Sequence, residues 1–169
     1  MLLTPQVREK MGKQACAMAA AVGYYTTGTC EFLVDKNLDF YFLEMNTRLQ
    51  VEHPVSEEIT GVDLVEEMIK IAAGYPLDFT QSDIKIKGHA VESRVYAEDA
   101  SRKFLPSIGF LKKYIEPKPR EGLRIDTGVC EGSEISMYYD PMISKLITHA
   151  NTREEAIRMQ NECIDEYVI

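Results

Sequence analysis

The chain has 169 residues, 45% of them hydrophobic and 27% charged, with a net charge of −8. That length suits one sizeable core or two small ones. With no block or stripe of Lys and Arg, nucleic acid is excluded as a partner, because backbone binding needs clustered cations. No apolar run approaches the roughly 20 residues of a membrane span, so no membrane association is expected either.

Thr4-Pro5 opens a first helix, with a capping hydroxyl followed by a first-turn proline. Val7, Met11, Ala15, Met18, Ala19 and Val22 repeat at helical spacing, and Gly23 can close it. Two β-rich runs follow, Thr29–Val34 and Phe40–Met45, joined by residues 35–39 as a hairpin. A second helix is predicted over about Asp63–Ala73, ended by Gly74 and followed by Pro76. Residues 78–83 are polar and irregular, a plausible boundary. Beyond them the texture turns to strands at Gly88–Ala97, Leu111–Ile115, Leu123–Val129 and Met142–Thr148. A final helix starts at Thr152, with Glu155 three residues on as a capping box.

Cys16, Cys30, Cys130 and Cys163 are widely spaced and form no C-x-x-C pair. They read as small reduced core residues in an intracellular protein, not as a zinc site or a secreted disulfide framework. No signal or transit pattern is legible, although Met1 need not be a natural start.

The densest chemistry lies in Glu44-Met45-Asn46-Thr47-Arg48-Leu49-Gln50-Val51-Glu52-His53-Pro54. Glu44, Asn46, Arg48, Gln50 and Glu52 occupy alternate positions, so an extended chain would set all five on one face. Full extension from Glu44 to Glu52 would span about 26 Å, too far for one site. The segment must therefore bend, with a loop expected after Met45.

A hairpin turn over residues 36–39 places Glu31 directly opposite Glu44, and like charges so placed destabilise a sheet. A cation would compensate, and magnesium suits a pair of carboxylates plus phosphates; solvation of both glutamates on an exposed face is the alternative. Arg48 could hold a planar oxyanion by paired hydrogen bonds, or simply pair with Glu44 or Glu52. Glu52 is placed to be a general base. His53, His89 and His149 read as structural residues, and Tyr138-Tyr139-Asp140-Pro141 as core plus turn.

The Glu44–Pro54 run resembles the signature of biotin carboxylases, ATP-grasp enzymes that carboxylate biotin. The resemblance continues through Ile59–Leu64, Gly88–Asp99, Phe104–Ser107 and Tyr139–Leu146, and so covers almost the whole chain. It implies an α+β fold in two parts. Residues 1–83 would be the tail of an ATP-grasp domain, as helix, hairpin and helix. Residues 84–169 would be a mostly antiparallel β carboxylase C-terminal domain closed by a helix.

It further implies that Glu31, Glu44 and Asn46 hold the Mg2+ or Mn2+ that bridges the ATP phosphates. Arg48, Gln50 and the backbone of Val51 would bind bicarbonate, and Glu52 would deprotonate it for attack on the γ-phosphate, giving carboxyphosphate. Arg94 would steady the charge developing on biotin, which is carried on another domain. The implied partners are a biotin carboxyl carrier domain, a carboxyltransferase (beta) subunit and a second copy of the chain or a larger assembly. The implied location is the mitochondrial matrix in a eukaryote and the cytoplasm in a bacterium.

Ser93 stands where the family commonly has Cys, and Cys30 where a β-branched or aromatic residue is usual; neither removes a functional group. The family's N-terminal domain, glycine-rich lid and phosphate-gripping lysines have no counterpart in these residues. The piece alone is therefore expected to be inactive. A purely structural or oligomerisation module is the competing reading.

Overall fold

The computed structural model describes residues 3–169 as an α+β chain that divides into two compact units. One comprises the chain up to His53 together with Asp63–Asp83, the other Pro54–Val62 with Ile84–Ile169.

In the first unit, α1 spans Pro5–Ala21, and the Thr4 hydroxyl accepts from the Val7 N–H at 3.3 Å. Val7, Met11, Ala15, Met18 and Ala19 form its half-buried stripe. The antiparallel hairpin is β1 (Thr29–Val34) and β2 (Phe40–Asn46). Its five-residue turn closes on Asp35, whose carboxylate accepts the N–H groups of Asn37 and Asp39 at 2.8 and 3.0 Å. Val34, not Asp35, pairs with Phe40, so the turn is one residue longer than expected. A bulge then skips Leu43, and Glu31 faces Glu44 after all. Without that bulge, Phe40, Phe42, Glu44 and Asn46 would alternate onto a single face. With it, Phe40 and Phe42 pack edge-on against Phe32, at centroid distances of 5.6 and 6.0 Å, while Glu44 and Asn46 turn to the face of Glu31.

Helix α2 (His53–Thr60) was not expected from the sequence. It is only eight residues long, and Pro54 is tolerated in it because it lies in the first turn. Gly61, at φ +74°, ends it in the left-handed conformation, with its N–H on the Glu57 carbonyl at 2.7 Å. Helix α3 (Leu64–Ala72) starts at Asp63, whose carboxylate accepts from the Glu66 N–H at 2.8 Å.

The second unit is organised by a three-stranded antiparallel sheet. Its strands are β3 (His89–Tyr96), β7 (Leu123–Thr127) and β9 (Met142–Ala150), in the order β3-β9-β7. Two-residue ladders flank it: β4 (Glu98–Asp99) with β5 (Leu105–Pro106), and β6 (Gly109–Phe110) with β8 (Glu134–Ile135). The strand expected over Leu111–Ile115 does not form. Consecutive Lys112 and Lys113 would put a charge on each face; Leu111 bonds to Gly132 and Ser133 through its backbone, and Ile115 forms an isolated bridge to Val168.

Helix α4 (Arg153–Glu166) carries the anticipated capping box between Thr152 and Glu155. Its Ala156, Gln160 and Cys163 are buried, as are Leu146 and Thr148 of β9; Cys163 alone of the four cysteines is a buried core residue, Cys30 being half-buried and Cys16 and Cys130 exposed. The Thr148 hydroxyl lies 2.8 Å from both the Ala156 carbonyl and Gln160 Oε1, and Gln160 Nε2 donates to the Leu146 carbonyl at 3.1 Å. This satisfied polar link fixes α4 on one face of the sheet. Among the described residues no helix is long and apolar enough to cross a membrane.

Candidate functional site

The bulge in β2 assembles the first part of the site. Glu31 and Glu44 face one another across the ladder, and Asn46 follows two residues along on the same face. The Asn46 amide donates to Glu31 Oε1 at 2.9 Å and to Glu44 Oε1 at 3.3 Å. Two carboxylates and an amide make an all-oxygen donor set that fits a hard divalent cation, with remaining positions for water and phosphate. Among the described residues no group of three or more His, Cys, Asp or Glu could hold a metal alone. An ion bound at this pair would thus draw further oxygens from its substrate.

Gly28 sets how closely β1 lies on this pair. A Cβ there would meet Met45 Cε at 3.0 Å, the Asn46 carbonyl at 3.1 Å and Tyr24 Cε1 at 3.1 Å. Tyr24 is itself tied down by its hydroxyl, which donates to the Thr27 carbonyl at 2.6 Å.

After Asn46 the chain leaves the ladder, bends at Arg48 and turns through Val51 and Glu52 into α2. The required bend is therefore present, one residue later than expected. Of the five alternating polar residues, only Glu44 and Asn46 stay on the strand. The Gln50 carbonyl holds the turn: it accepts the His53 N–H at 3.2 Å and lies 2.8 Å from His53 Nδ1. His53 is thereby structural, as read from the sequence. Arg48 Nη1 donates to the adjacent Leu49 carbonyl at 3.2 Å, and the side chains of Arg48, Val51 and Glu52 are exposed.

Arg94 belongs to the second unit, on β3. It faces Lys145 across the ladder, and its Nε stands 3.9 Å from Glu92 Oε1. The sheet face it occupies holds a charge network that sequence reasoning missed. Arg124 donates to Asp126 through Nε at 2.8 Å and Nη2 at 3.1 Å, and through Nη1 to Glu57 of α2 at 2.7 Å. Lys145 Nζ lies 3.3 Å from Asp126 Oδ2. Glu57 and Lys145 are buried. Burial pushes the Asp126 carboxyl up, but Arg124 and then Lys145 outweigh it and hold it below the ordinary aspartate value. A signal was available, since Lys145 is a lone charge in the apolar run Met142–Ile147 and Arg124-x-Asp126 alternates onto one strand face.

Comparison with known proteins bears on the family and the fold. Residues 1–80 match the family described as carbamoyl-phosphate synthase L chain, ATP binding domain, and residues 92–169 match the biotin carboxylase C-terminal domain. The chain is 59% identical to the mitochondrial propionyl-CoA carboxylase alpha chain of Homo sapiens over 168 residues, 99% of this chain and 23% of that protein. It is 47% identical to the mitochondrial methylcrotonoyl-CoA carboxylase subunit alpha of Mus musculus, again over 99% of this chain and 23% of the relative. Among solved structures, it superposes with TM-score 0.94 and 44% identity on the biotin carboxylase domain dimer of Hydrogenobacter thermophilus 2-oxoglutarate carboxylase, in complex with MgADP, ADP and bicarbonate. That match covers 100% of this chain and 37% of the other. The chain thus spans about a quarter of the curated relatives it matches.

Proposed function

The chain belongs to the biotin carboxylase family, and we propose that it forms part of an enzyme that carboxylates biotin with ATP and bicarbonate. Residues 1–83 would contribute the C-terminal part of the ATP-grasp domain and 84–169 the carboxylase C-terminal domain. The observation that carries this reading is the Glu31–Glu44–Asn46 cluster running, within a few residues, into the Arg48–Glu52 turn.

In this reading Glu31, Glu44 and Asn46 hold Mg2+ or Mn2+, which neutralises the phosphates of ATP when bound. Arg48 grips bicarbonate through its planar fork, helped by the Gln50 side chain and the Val51 N–H. Glu52 takes the bicarbonate proton, which frees an oxygen to attack the γ-phosphate. Arg94 meets the ureido oxygen of biotin as negative charge develops on it, the task of a fixed cation in an oxyanion site.

The identity to propionyl-CoA carboxylase alpha chains supports propionyl-CoA as the final acceptor. Acceptor choice would then rest with a carboxyltransferase (beta) subunit, and biotin would arrive on a carrier domain. The dimeric neighbour supports self-association, and the mitochondrial relatives support a matrix location in a eukaryotic source.

In the full-length subunit, Arg48→Ala and Glu52→Ala should each lower biotin-dependent ATP hydrolysis by about 10²- to 10⁴-fold, the usual contribution of a positioned general base or oxyanion anchor. Circular dichroism should stay unchanged. Near-normal turnover in either variant would overturn the assignment.

A further inference from the structure

The face of the β3-β9-β7 sheet away from α4 carries five charged side chains in a definite order, some of them buried. Cross-strand register sets Glu92, Ile147 and Arg124 in one row, and Arg94, Lys145 and Asp126 in the next. Residues in register project to the same side. The second row therefore holds two cations side by side, an arrangement that repels. At its far end lies one carboxylate, Asp126, already taken by two hydrogen bonds from Arg124.

Lys145 is the most confined member of this row. Its side chain is 10% exposed, against 38% for Arg94. A buried ammonium requires an anion, and Lys145 finds Asp126 at 3.3 Å. Arg94 carries the same charge one strand over, lies on the more open side, and has the Glu92 carboxylate of its own strand 3.9 Å from its Nε. Its Cα is separated from that of Asp126 by two strand spacings, roughly 9.6 Å. An extended arginine and an aspartate can close that gap. Lys145 stands between them.

We infer that Lys145 is a positioning residue for Arg94: by claiming Asp126 and repelling the guanidinium, it keeps Arg94 turned to the open edge of the sheet, where the ureido oxygen of biotin would be met. This rests on the role given to Arg94 under the proposed function. Without the Lys145 charge, Arg94 is drawn across β9 towards Asp126, and the cation leaves its working position.

The test uses the full-length carboxylase subunit with free biotin as the probe. ATP hydrolysis is measured with bicarbonate alone and with biotin added. Lys145→Met keeps the volume and removes the charge. It should lower kcat/KM for biotin by about tenfold to a hundredfold, the scale of an ångström-sized misplacement, with bicarbonate-dependent hydrolysis little changed. Adding Asp126→Asn removes the competing carboxylate, so the double variant K145M/D126N should recover most of the loss. The double variant buries no unpaired carboxylate at position 126, and it carries the test if K145M alone does not fold.

A K145M enzyme with normal biotin kinetics, or a double variant no better than 10% of wild type, would overturn the inference. If Arg94→Ala is inert while K145M is normal, this inference falls and the carboxylase reading stands. If the wild-type subunit shows no biotin dependence at all, the carboxylase reading falls and takes this inference with it.

Discussion

Two glycine-to-alanine substitutions in the first unit should move stability in opposite directions. Gly12 lies within α1, and a Cβ there has nothing within 4 Å. Alanine in a helix interior is favoured over glycine by roughly 0.5–1 kcal/mol, so Gly12→Ala should stabilise by about that amount. Gly28 also gains about 0.4–1 kcal/mol from a less disordered unfolded chain. Its Cβ, however, meets three atoms at 3.0–3.1 Å.

Of those three, the Met45 methyl is the end of a flexible side chain and can swing aside. The Asn46 carbonyl belongs to backbone opposite Thr29, and the Tyr24 ring is anchored through its hydroxyl. Overpacking of this kind costs about 1–3 kcal/mol. The net for Gly28→Ala is then a loss of about 1–2 kcal/mol. Because the carbonyl that must retreat belongs to Asn46, the Mg2+ concentration giving half-maximal ATP hydrolysis should also rise. Urea denaturation of the full-length subunit and a Mg2+ titration report both effects. A Gly28→Ala variant as stable as Gly12→Ala, with unchanged Mg2+ dependence, would refute the reasoning.

Two further outcomes follow from the charge network. Arg124→Leu leaves the carboxylate of Glu57 buried, with Glu58 near it and Asp126 short of a partner. Breaking a buried pair costs about 3–5 kcal/mol, and partial exposure of Arg124 trims this to about 2–3 kcal/mol. Urea unfolding should show that drop; a loss under about 0.5 kcal/mol would mean the network contributes no more than exposed ion pairs do. Asp126 titrates below its unfolded value of 3.8. Its contribution is therefore complete above that value and fades as pH falls through the lower folded value. Asp126→Asn should flatten the acid limb of a plot of thermal midpoint against pH, and an unchanged limb would exclude Asp126 as a source of acid lability.

Local rules made much of the architecture legible. Thr4-Pro5 and Thr152 announce two helices through side chains that accept backbone N–H groups in the first turn, and both do so; Asp63 caps a third, which Gly74 and Pro76 mark at its other end. The bend after the hairpin followed from chain length alone. Helix α2 escaped because eight residues starting with His53-Pro54 show too little periodicity to separate from a loop. The Glu57–Arg124–Asp126–Lys145 network escaped because it joins positions up to 67 residues apart; each residue taken singly looks like ordinary surface charge. The opposition of Glu31 and Glu44 was foreseen from an unbulged hairpin, whereas the real one gains a turn residue and skips Leu43.

That skipped residue gives the hairpin a change of phase. Up to Phe42 the even-numbered side chains of β2 follow an aromatic pattern; from Glu44 onward, even numbers carry the carboxylate and amide on the face of Glu31. The two halves of one short strand can therefore be altered under separate constraints, the aromatic half by how it packs on Phe32 and the polar half by its contacts with Glu31. Deleting Leu43 would remove no functional group. It would close the bulge into a regular ladder in which Glu44 still faces Glu31 and Asn46 stays on their side.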